Sequence, residues 1–272
     1  MPVANPSVET VDPRALDHWI HAAEAAADVA GAVIRPYFRA GLASELKGDA
    51  SPVTIADRTA ELAMRAVLSE RFPDFGILGE EFGLHNAAAP LRWVLDPIDG
   101  TRAFITGRPV FGTLVALMRG DQPLLGLIDQ PMTGERWIGA VGRPTIFRGS
   151  IGGRPGGRAC PTLDAAELSV TSTEVFDAGD LAAFERLRGA TRRLTFGGDC
   201  YAYGLLALGQ VDVIAEATMK LWDWAALVPV VEGAGGRVTD WQGRPMTCDG
   251  DGRILAVGDP ALLPHAVALL AA

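Results

Sequence analysis

Two aspartates three residues apart close an apolar run in Trp93-Val94-Leu95-Asp96-Pro97-Ile98-Asp99-Gly100-Thr101. Acids at the end of a buried stretch need compensation, because an ionised carboxylate taken out of water is costly unless it is paired or bound to a cation. Two other segments hold acids in marked positions. Gly79-Glu80-Glu81-Phe82-Gly83 sets two carboxylates in a glycine-flanked bend, and Trp222-Asp223-Trp224 sets one at a predicted helix start. Hard divalent cations such as Mg²⁺ take oxygen ligands, and grouped carboxylates are the usual protein source of them. Gly100 and Thr101, at another predicted helix start, offer backbone N–H groups that suit a phosphate. Each segment alone has a plainer reading. An Asp before a helix is an N-cap, a Glu pair is solvated surface, and Asp-Pro-Ile-Asp-Gly-Thr is a turn.

Other chemistries fall away. The chain has no Gly-x-Ser-x-Gly elbow, no His-Glu-x-x-His and no Walker A loop. His18 and His21 lie three apart on a predicted helix with no further ligand beside them, and read as surface or half-buried histidines. Asp249-Gly250-Asp251-Gly252 begins like an EF-hand loop, but its twelfth position is Pro260, so a turn is the better account. Gly233-Ala234-Gly235-Gly236 ends a predicted helix instead of opening one, which makes it a helix stop.

The elements that must position the acids follow from pattern. Asp12-Pro13 reads as an N-cap and first turn of a helix running to about Phe38, with Leu16, Ile20, Ala23, Ala27 and Ala30 on one face. A second helix is expected over 57–71, joined to the first through a loop at 48–52. Short apolar runs at 93–95, 110–118 and 123–128 read as buried strands, and Pro97 is expected to stop the first. Five glycines between Arg148 and Arg158 mark an exposed loop and a boundary, giving an N-terminal half over 1–150 and a C-terminal half over 151–272. The second half then alternates: strands near 168–171, 194, 211–216, 238 and 254, with helices over 178–188, 201–208, 223–232 and at the C-terminus. Pro229 should kink the third of these helices.

Composition bounds the partners. The 272 residues suffice for one large domain or two ordinary ones, and 49% hydrophobic with 21% charged is a globular balance. Acidic residues outnumber basic ones 33 to 24, for a net charge of -9. That excess argues against a nucleic-acid or anionic-membrane binder and leaves cations and small molecules. No apolar run approaches the roughly 18–20 residues that span a bilayer. Met1 to Arg14 is polar and acidic and does not read as a secretory signal. Cys160, Cys200 and Cys248 are widely spaced without a Cys-x-x-Cys pair, so a reducing cytoplasm is expected.

Together, Gly79-Glu80-Glu81, Asp96-Pro97-Ile98-Asp99-Gly100-Thr101 and Trp222-Asp223 followed by Glu232-Gly233-Ala234-Gly235-Gly236 resemble the inositol monophosphatase superfamily of Mg²⁺-dependent phosphomonoesterases. Within it the chain most resembles the histidinol-phosphate phosphatases. Lys47-Gly48-Asp49-Ala50-Ser51-Pro52-Val53-Thr54-Ile55-Ala56-Asp57, Thr101-Arg102-Ala103-Phe104, Gly126-Leu127-Ile128-Asp129-Gln130-Pro131 and Gly197-Gly198-Asp199-Cys200-Tyr201-Ala202-Tyr203-Gly204 carry that likeness.

The resemblance implies an α/β fold, α+β in its N-terminal half, built as a layered αβαβα sandwich. It implies a site with two Mg²⁺ ions and a third, weakly held one near Glu80. Glu80, Asp96 and the Ile98 carbonyl would hold one ion; Asp96, Asp99 and Asp223 would hold another. Asp57 and Thr101, with Glu80, would serve the attack of metal-activated water, and the Gly100 and Thr101 amides would bind phosphate. Gly198, Asp199 and Glu216 fall on substrate-binding positions. The expected activity is hydrolysis of L-histidinol phosphate in histidine biosynthesis, with an inositol-phosphate or broader sugar- or nucleotide-phosphate phosphatase as the alternative. A small-molecule phosphate monoester as partner, no nucleic acid or membrane, a homodimer and a cytoplasmic location complete the expectation.

Overall fold

The computed structural model describes residues 11–40, 45–46, 52–53 and 55–271. Lys47 to Ser51 and Thr54, with most of the loop expected over 48–52, lie outside the described residues; Pro52–Val53 (β2) pairs antiparallel with Glu45–Leu46 (β1).

The first helix begins where the sequence places it. The Asp12 carboxylate accepts the Arg14 amide at 3.0 Å, and Pro13 opens α1 (Pro13–Ile34). The helix ends before Phe38 because Pro36 has no N–H to continue the ladder, and the chain tightens into a 3-10 turn over Arg35–Tyr37. Buried alanines at 22, 23, 26, 27 and 30 give α1 a smooth face against α2 (Ile55–Arg71).

All strands from 76 to 148 form one seven-stranded sheet. They are β3 (Gly76–Gly79), β4 (Gly83–His85), β5 (Arg92–Asp99), β6 (Gly112–Arg119), β7 (Gln122–Gln130), β8 (Glu135–Ala140) and β9 (Arg143–Arg148), in the order β4-β3-β5-β6-β7-β8-β9. A short helix, α3 (Thr101–Ile105), follows β5. The strands from 167 to 257 form a second sheet of five: β10 (Glu167–Val170), β11 (Arg193–Phe196), β12 (Val213–Glu216), β13 (Arg237–Thr239) and β14 (Ile254–Val257), ordered β11-β10-β12-β14-β13.

Alternation of side chains along each strand supplies both faces of each sheet with apolar surface, so each must be covered twice. Trp93, Leu95, Val115 and Leu117 pack with α1 and α2 on one face of the first sheet. Val94, Leu114, Ala116 and Met118 face the other way, against α5 (Asp199–Ala207), α6 (Leu221–Trp224) and α7 (Leu227–Gly233). The same middle core holds Ile214, Ile254 and Ala256 of the second sheet. Val213, Ala215, Leu255 and Val257 point outward, under α4 (Ala178–Ala190) and α8 (Leu263–Leu270). The five layers are therefore the expected αβαβα sandwich.

The middle helices lie directly on the first sheet. A Cβ at Gly126 would come within 2.0 Å of the Ala226 carbonyl oxygen, and one at Gly139 within 2.1 Å of that of Pro229. Only glycine allows α7 this approach. The helix expected over 223–232 is in fact two, α6 and α7. The interruption falls where Pro229 puts it: α6 stops at Trp224 and α7 starts at Leu227, and the N–H that proline lacks is the one that would have paired with the Ala225 carbonyl one turn earlier. His18 and His21 are exposed, and all three cysteines are free. Among the described residues no helix is long and apolar enough to cross a membrane.

Candidate active site

Pro97 was expected to end the strand at Asp96. Instead β5 continues to Asp99 through a bulge: Asp96 pairs with Leu114 and Asp99 with Gly112, so two residues of β5 oppose one of β6. In a regular strand, residues three apart point to opposite faces. The extra residue resets the alternation, and Asp96 and Asp99 come to the same side. Thr113, the residue opposite the bulge, donates to the Pro97 carbonyl at 2.7 Å and pins it. The Ile98 amide donates back to the Asp96 carboxylate at 3.0 Å, and Thr101 Oγ1 donates to the Ile98 carbonyl at 3.2 Å.

Two helix starts meet this bulge. At α5 the Cys200 amide donates to Asp99 Oδ2 at 2.6 Å. At α6 the Lys220 amide donates to Asp223 Oδ2 at 2.6 Å. As a result, one carboxylate oxygen from each of Asp96, Asp99 and Asp223 lies within 4.8 Å of the others. Asp57, in the first turn of α2, is 1% exposed, and both it and Glu80, from the β3–β4 loop, lie close enough to act on Asp96.

So many acids in one place hold protons tightly. Burial lifts the Asp96 pKa well above the ordinary aspartate range, and Glu80, Asp99, Asp223 and Asp57 push it the same way. Asp99 is raised by burial and by Asp199 and Asp223, against the Cys200 hydrogen bonds. Asp223 is lifted to about 7, chiefly by burial. An all-oxygen donor set this close, with each carboxylate raising its neighbour's pKa, is what bound hard cations would relieve. The residues fit Mg²⁺.

The cleft above these acids has a volume of about 560 Å³ and is lined by Glu80, Asp96, Ile98, Asp99 and Asp223. Gly100, Thr101 and Asp199 line it as well. Gly100 has φ +85°, and a Cβ there would fall 2.7 Å from Asp199 Cγ, so the Asp199 carboxyl lies over the start of α3. A smaller pocket, of about 200 Å³, shares Asp99, Asp199 and Asp223 with the cleft and adds Glu216 and Tyr203. Gly198 is the one predicted substrate-binding residue that does not line the cavity. It is buried at the N-cap of α5 with φ +136°, between Gly197 and Asp199, which do line the cleft.

Asp199 is not the helix cap that its position suggests. Gly198 is the N-cap, and among the described residues no hydrogen bond runs to the Asp199 carboxylate. Burial and then Glu216 lift its pKa to about 7, against Arg108 and Arg102. Glu216, 5% exposed, has both oxygens held, by the Thr171 amide at 2.7 Å and the Tyr203 hydroxyl at 3.0 Å. Burial raises its pKa while these two donors lower it. Tyr203, Thr113 and Glu61 escape sequence reading. Only Glu61 left a signal, lying four residues after Asp57 and hence on the same helix face.

The sequence profile of the inositol monophosphatase family matches residues 15–271. This chain belongs to that family. It is a family phosphatase with the matching fold. A solved structure of an inositol monophosphatase from Zymomonas mobilis superposes with a TM-score of 0.86 at 47% identity, over 95% of this chain and 99% of that one. The chloroplastic bifunctional phosphatase IMPL2 of Arabidopsis thaliana is 46% identical over 244 residues, 89% of this chain and 70% of that protein. The histidinol-phosphatase of Chlorobaculum parvum is 37% identical over 238 residues, 85% of this chain and 88% of that protein. The family generally uses Mg²⁺, in keeping with the acidic cluster.

Proposed function

We propose that this phosphatase hydrolyses L-histidinol phosphate to L-histidinol and phosphate, as a step of histidine biosynthesis. The observation that carries the substrate choice is Asp199. It is a cleft carboxylate lying over Gly100, with no hydrogen bond of its own among the described residues and Glu216 close behind. Histidinol carries an amine and an imidazole, so a second acidic pole beside the first suits a cationic leaving group. A cation there would also bring the raised pKa of Asp199 back down, so binding and ionisation reinforce each other. The histidinol-phosphatase from Chlorobaculum parvum supports the same reading.

In this reading Glu80, Asp96, Asp99, Asp223 and the Ile98 carbonyl would hold two Mg²⁺ ions, with room for a third, weaker one near Glu80. Bound there, the ions would offset about four negative charges and lower the pKa of a water, supplying a nucleophile at neutral pH. Asp57 would take the proton of that water, and the Thr101 hydroxyl would orient it by accepting a hydrogen bond from it. The Thr101 hydroxyl already donates to Ile98, which leaves its oxygen free to accept. The first amides of α3, at Gly100 and Thr101, receive the phosphate, since they have no carbonyl one turn earlier to pair with. Glu216, fixed by Tyr203 and Thr171, and Asp199 receive the alcohol portion. Residues 1–150 supply most of the metal ligands and 151–272 complete the site. A cytoplasmic homodimer is part of the reading, and light scattering tests the dimer.

A second reading, inositol 1-phosphate or a broader set of esters, is favoured by the 47% identity to the Zymomonas mobilis inositol monophosphatase. Phosphate release from histidinol phosphate, inositol 1-phosphate and adenosine 3′,5′-bisphosphate, each with and without Mg²⁺, separates them. A strong preference for inositol 1-phosphate would sink the first reading.

A further inference from the structure

Glu61 is fully buried, at 0% exposure, in the second turn of α2. Its carboxylate does not face the cleft. Oε2 accepts the Glu81 amide at 2.7 Å, while Oε1 accepts the Phe82 amide at 3.2 Å and Arg65 Nε at 2.7 Å. Arg65 in turn donates to the Gly83 carbonyl. The carboxylate therefore sits inside the β3–β4 loop, Glu80-Glu81-Phe82, whose flanking glycines 79 and 83 form the last rung of the hairpin. Closure is tight: a Cβ on Gly79 would lie 2.0 Å from Glu61 Oε1.

We propose that Glu61 is the positioning residue of this acidic loop, fixing where Glu80 stands relative to Asp96. The inference rests on the reading of Glu80 as a metal ligand. Two amides held by one carboxylate fix the peptide planes on either side of Glu81, and so the direction in which the neighbouring Glu80 side chain leaves the chain. The group must be an acceptor only, because three donors converge on it; an amide side chain would turn an N–H against an N–H. Asp57 lies four residues earlier on the same helix, about 6 Å along its axis. One rigid helix thus carries Asp57 to the site and holds the loop that brings Glu80 to it.

A purely structural role predicts lost stability and nothing more. A positioning role predicts a loss of metal affinity that passes through Glu80. The test is Mn²⁺ binding by calorimetry to the whole protein, for wild type, Glu61→Gln, Glu80→Gln and the double variant, with melting temperatures recorded alongside. Glu61→Gln is expected to weaken Mn²⁺ about tenfold, and to add less than about twofold once Glu80 is already Gln. Unchanged affinity in Glu61→Gln, or losses that multiply in the double variant, overturns the inference. No effect of Glu80→Gln overturns the metal reading and this inference with it. An effect of Glu80→Gln without one of Glu61→Gln overturns this inference alone. If Glu61→Gln does not fold, Arg65→Gln takes its place in the cycle. A loss of about threefold that disappears in the Glu80→Gln background supports the role, and an equal loss in both backgrounds overturns it.

Discussion

Metal-free protein should lose stability as the pH rises from about 4 to about 8, and Mg²⁺ should remove that loss. Asp223 is the clearest contributor. Burial lifts its pKa to about 7; the Lys220 amide opposes the rise, and Glu80 and Glu216 add to it. An unfolded aspartate titrates near about 3.9. A carboxyl whose pKa is higher folded than unfolded binds its proton more tightly in the folded state. Its contribution is fully present below about pH 4 and is lost as the pH climbs through about 7. A displacement of about three pH units is worth about 4 kcal/mol at the limit. Asp223 keeps an edge to the cleft and shares its protons with Asp96 and Asp99, so about half of that, roughly 2 kcal/mol, is the expected size. In a protein of this length that corresponds to about 4–8 °C in melting temperature. Differential scanning calorimetry in EDTA and in saturating Mg²⁺, from pH 4 to pH 8, reads it directly. The gap between the two curves should widen with pH by about that amount. Asp223→Asn should flatten the EDTA curve. A gap that stays constant across the range, in both wild type and variant, would refute the reasoning.

Three further outcomes follow from single contacts. Asp199→Asn keeps the shape of the cleft and removes a charge, so kcat/KM for histidinol phosphate should fall about 10- to 100-fold while a neutral phosphate ester changes little; equal losses would deny Asp199 a part in specificity. Gly126→Ala puts a methyl where the Ala226 carbonyl already lies, 2.0 Å away, and should cost about 2–3 kcal/mol in urea unfolding; a neutral variant would mean that α7 does not rest on the sheet as described. Thr113→Val removes the buried donor to the Pro97 carbonyl and should cost about 1–3 kcal/mol, with unchanged stability counting against the bulge being pinned there.

The elements legible in the sequence are those whose reasons are local. The Asp12-Pro13 cap names its own helix, and the apolar runs of β6 and β7 need only their own residues to read as buried strands. β8 and β9 went unread because Arg136, Pro144 and the arginines at 143 and 148 break the apolar pattern. Three of these side chains find acids far along the chain: Arg136 reaches Asp28 as well as its cross-strand neighbour Asp129, Arg143 reaches Asp17, and Arg148 reaches Glu24. Likewise β3 and β4 are short and rich in glycine, and their pairing becomes necessary only once Glu61 fills the loop between them. At the site, the acids could be named in advance because their residue types announce them. What brings them together could not. A bulge is a property of two strands, and the donors that hold Asp99 and Asp223 are backbone amides of helices with no distinguishing side chain.

That dependence on backbone explains how a chain of net charge -9 can gather so many acids before any cation arrives. The bulge in β5 and the starts of α5 and α6 point amide N–H groups at Asp96, Asp99 and Asp223 respectively. A buried carboxylate that accepts such a bond keeps part of what it lost on leaving water. The bonds are too few for full compensation, since Asp96 and Asp99 still hold their protons well above the ordinary range. Had the amides satisfied the carboxylates completely, the pocket would be stable without cations and would have little left to offer them. Had they offered nothing, the cluster would oppose folding outright. The site sits between these limits: folded with its protons on, it is placed to exchange them for divalent cations where these bind. Two such ions would bring the net charge to about -5 and turn a cleft that repels a phosphate dianion into one that admits it.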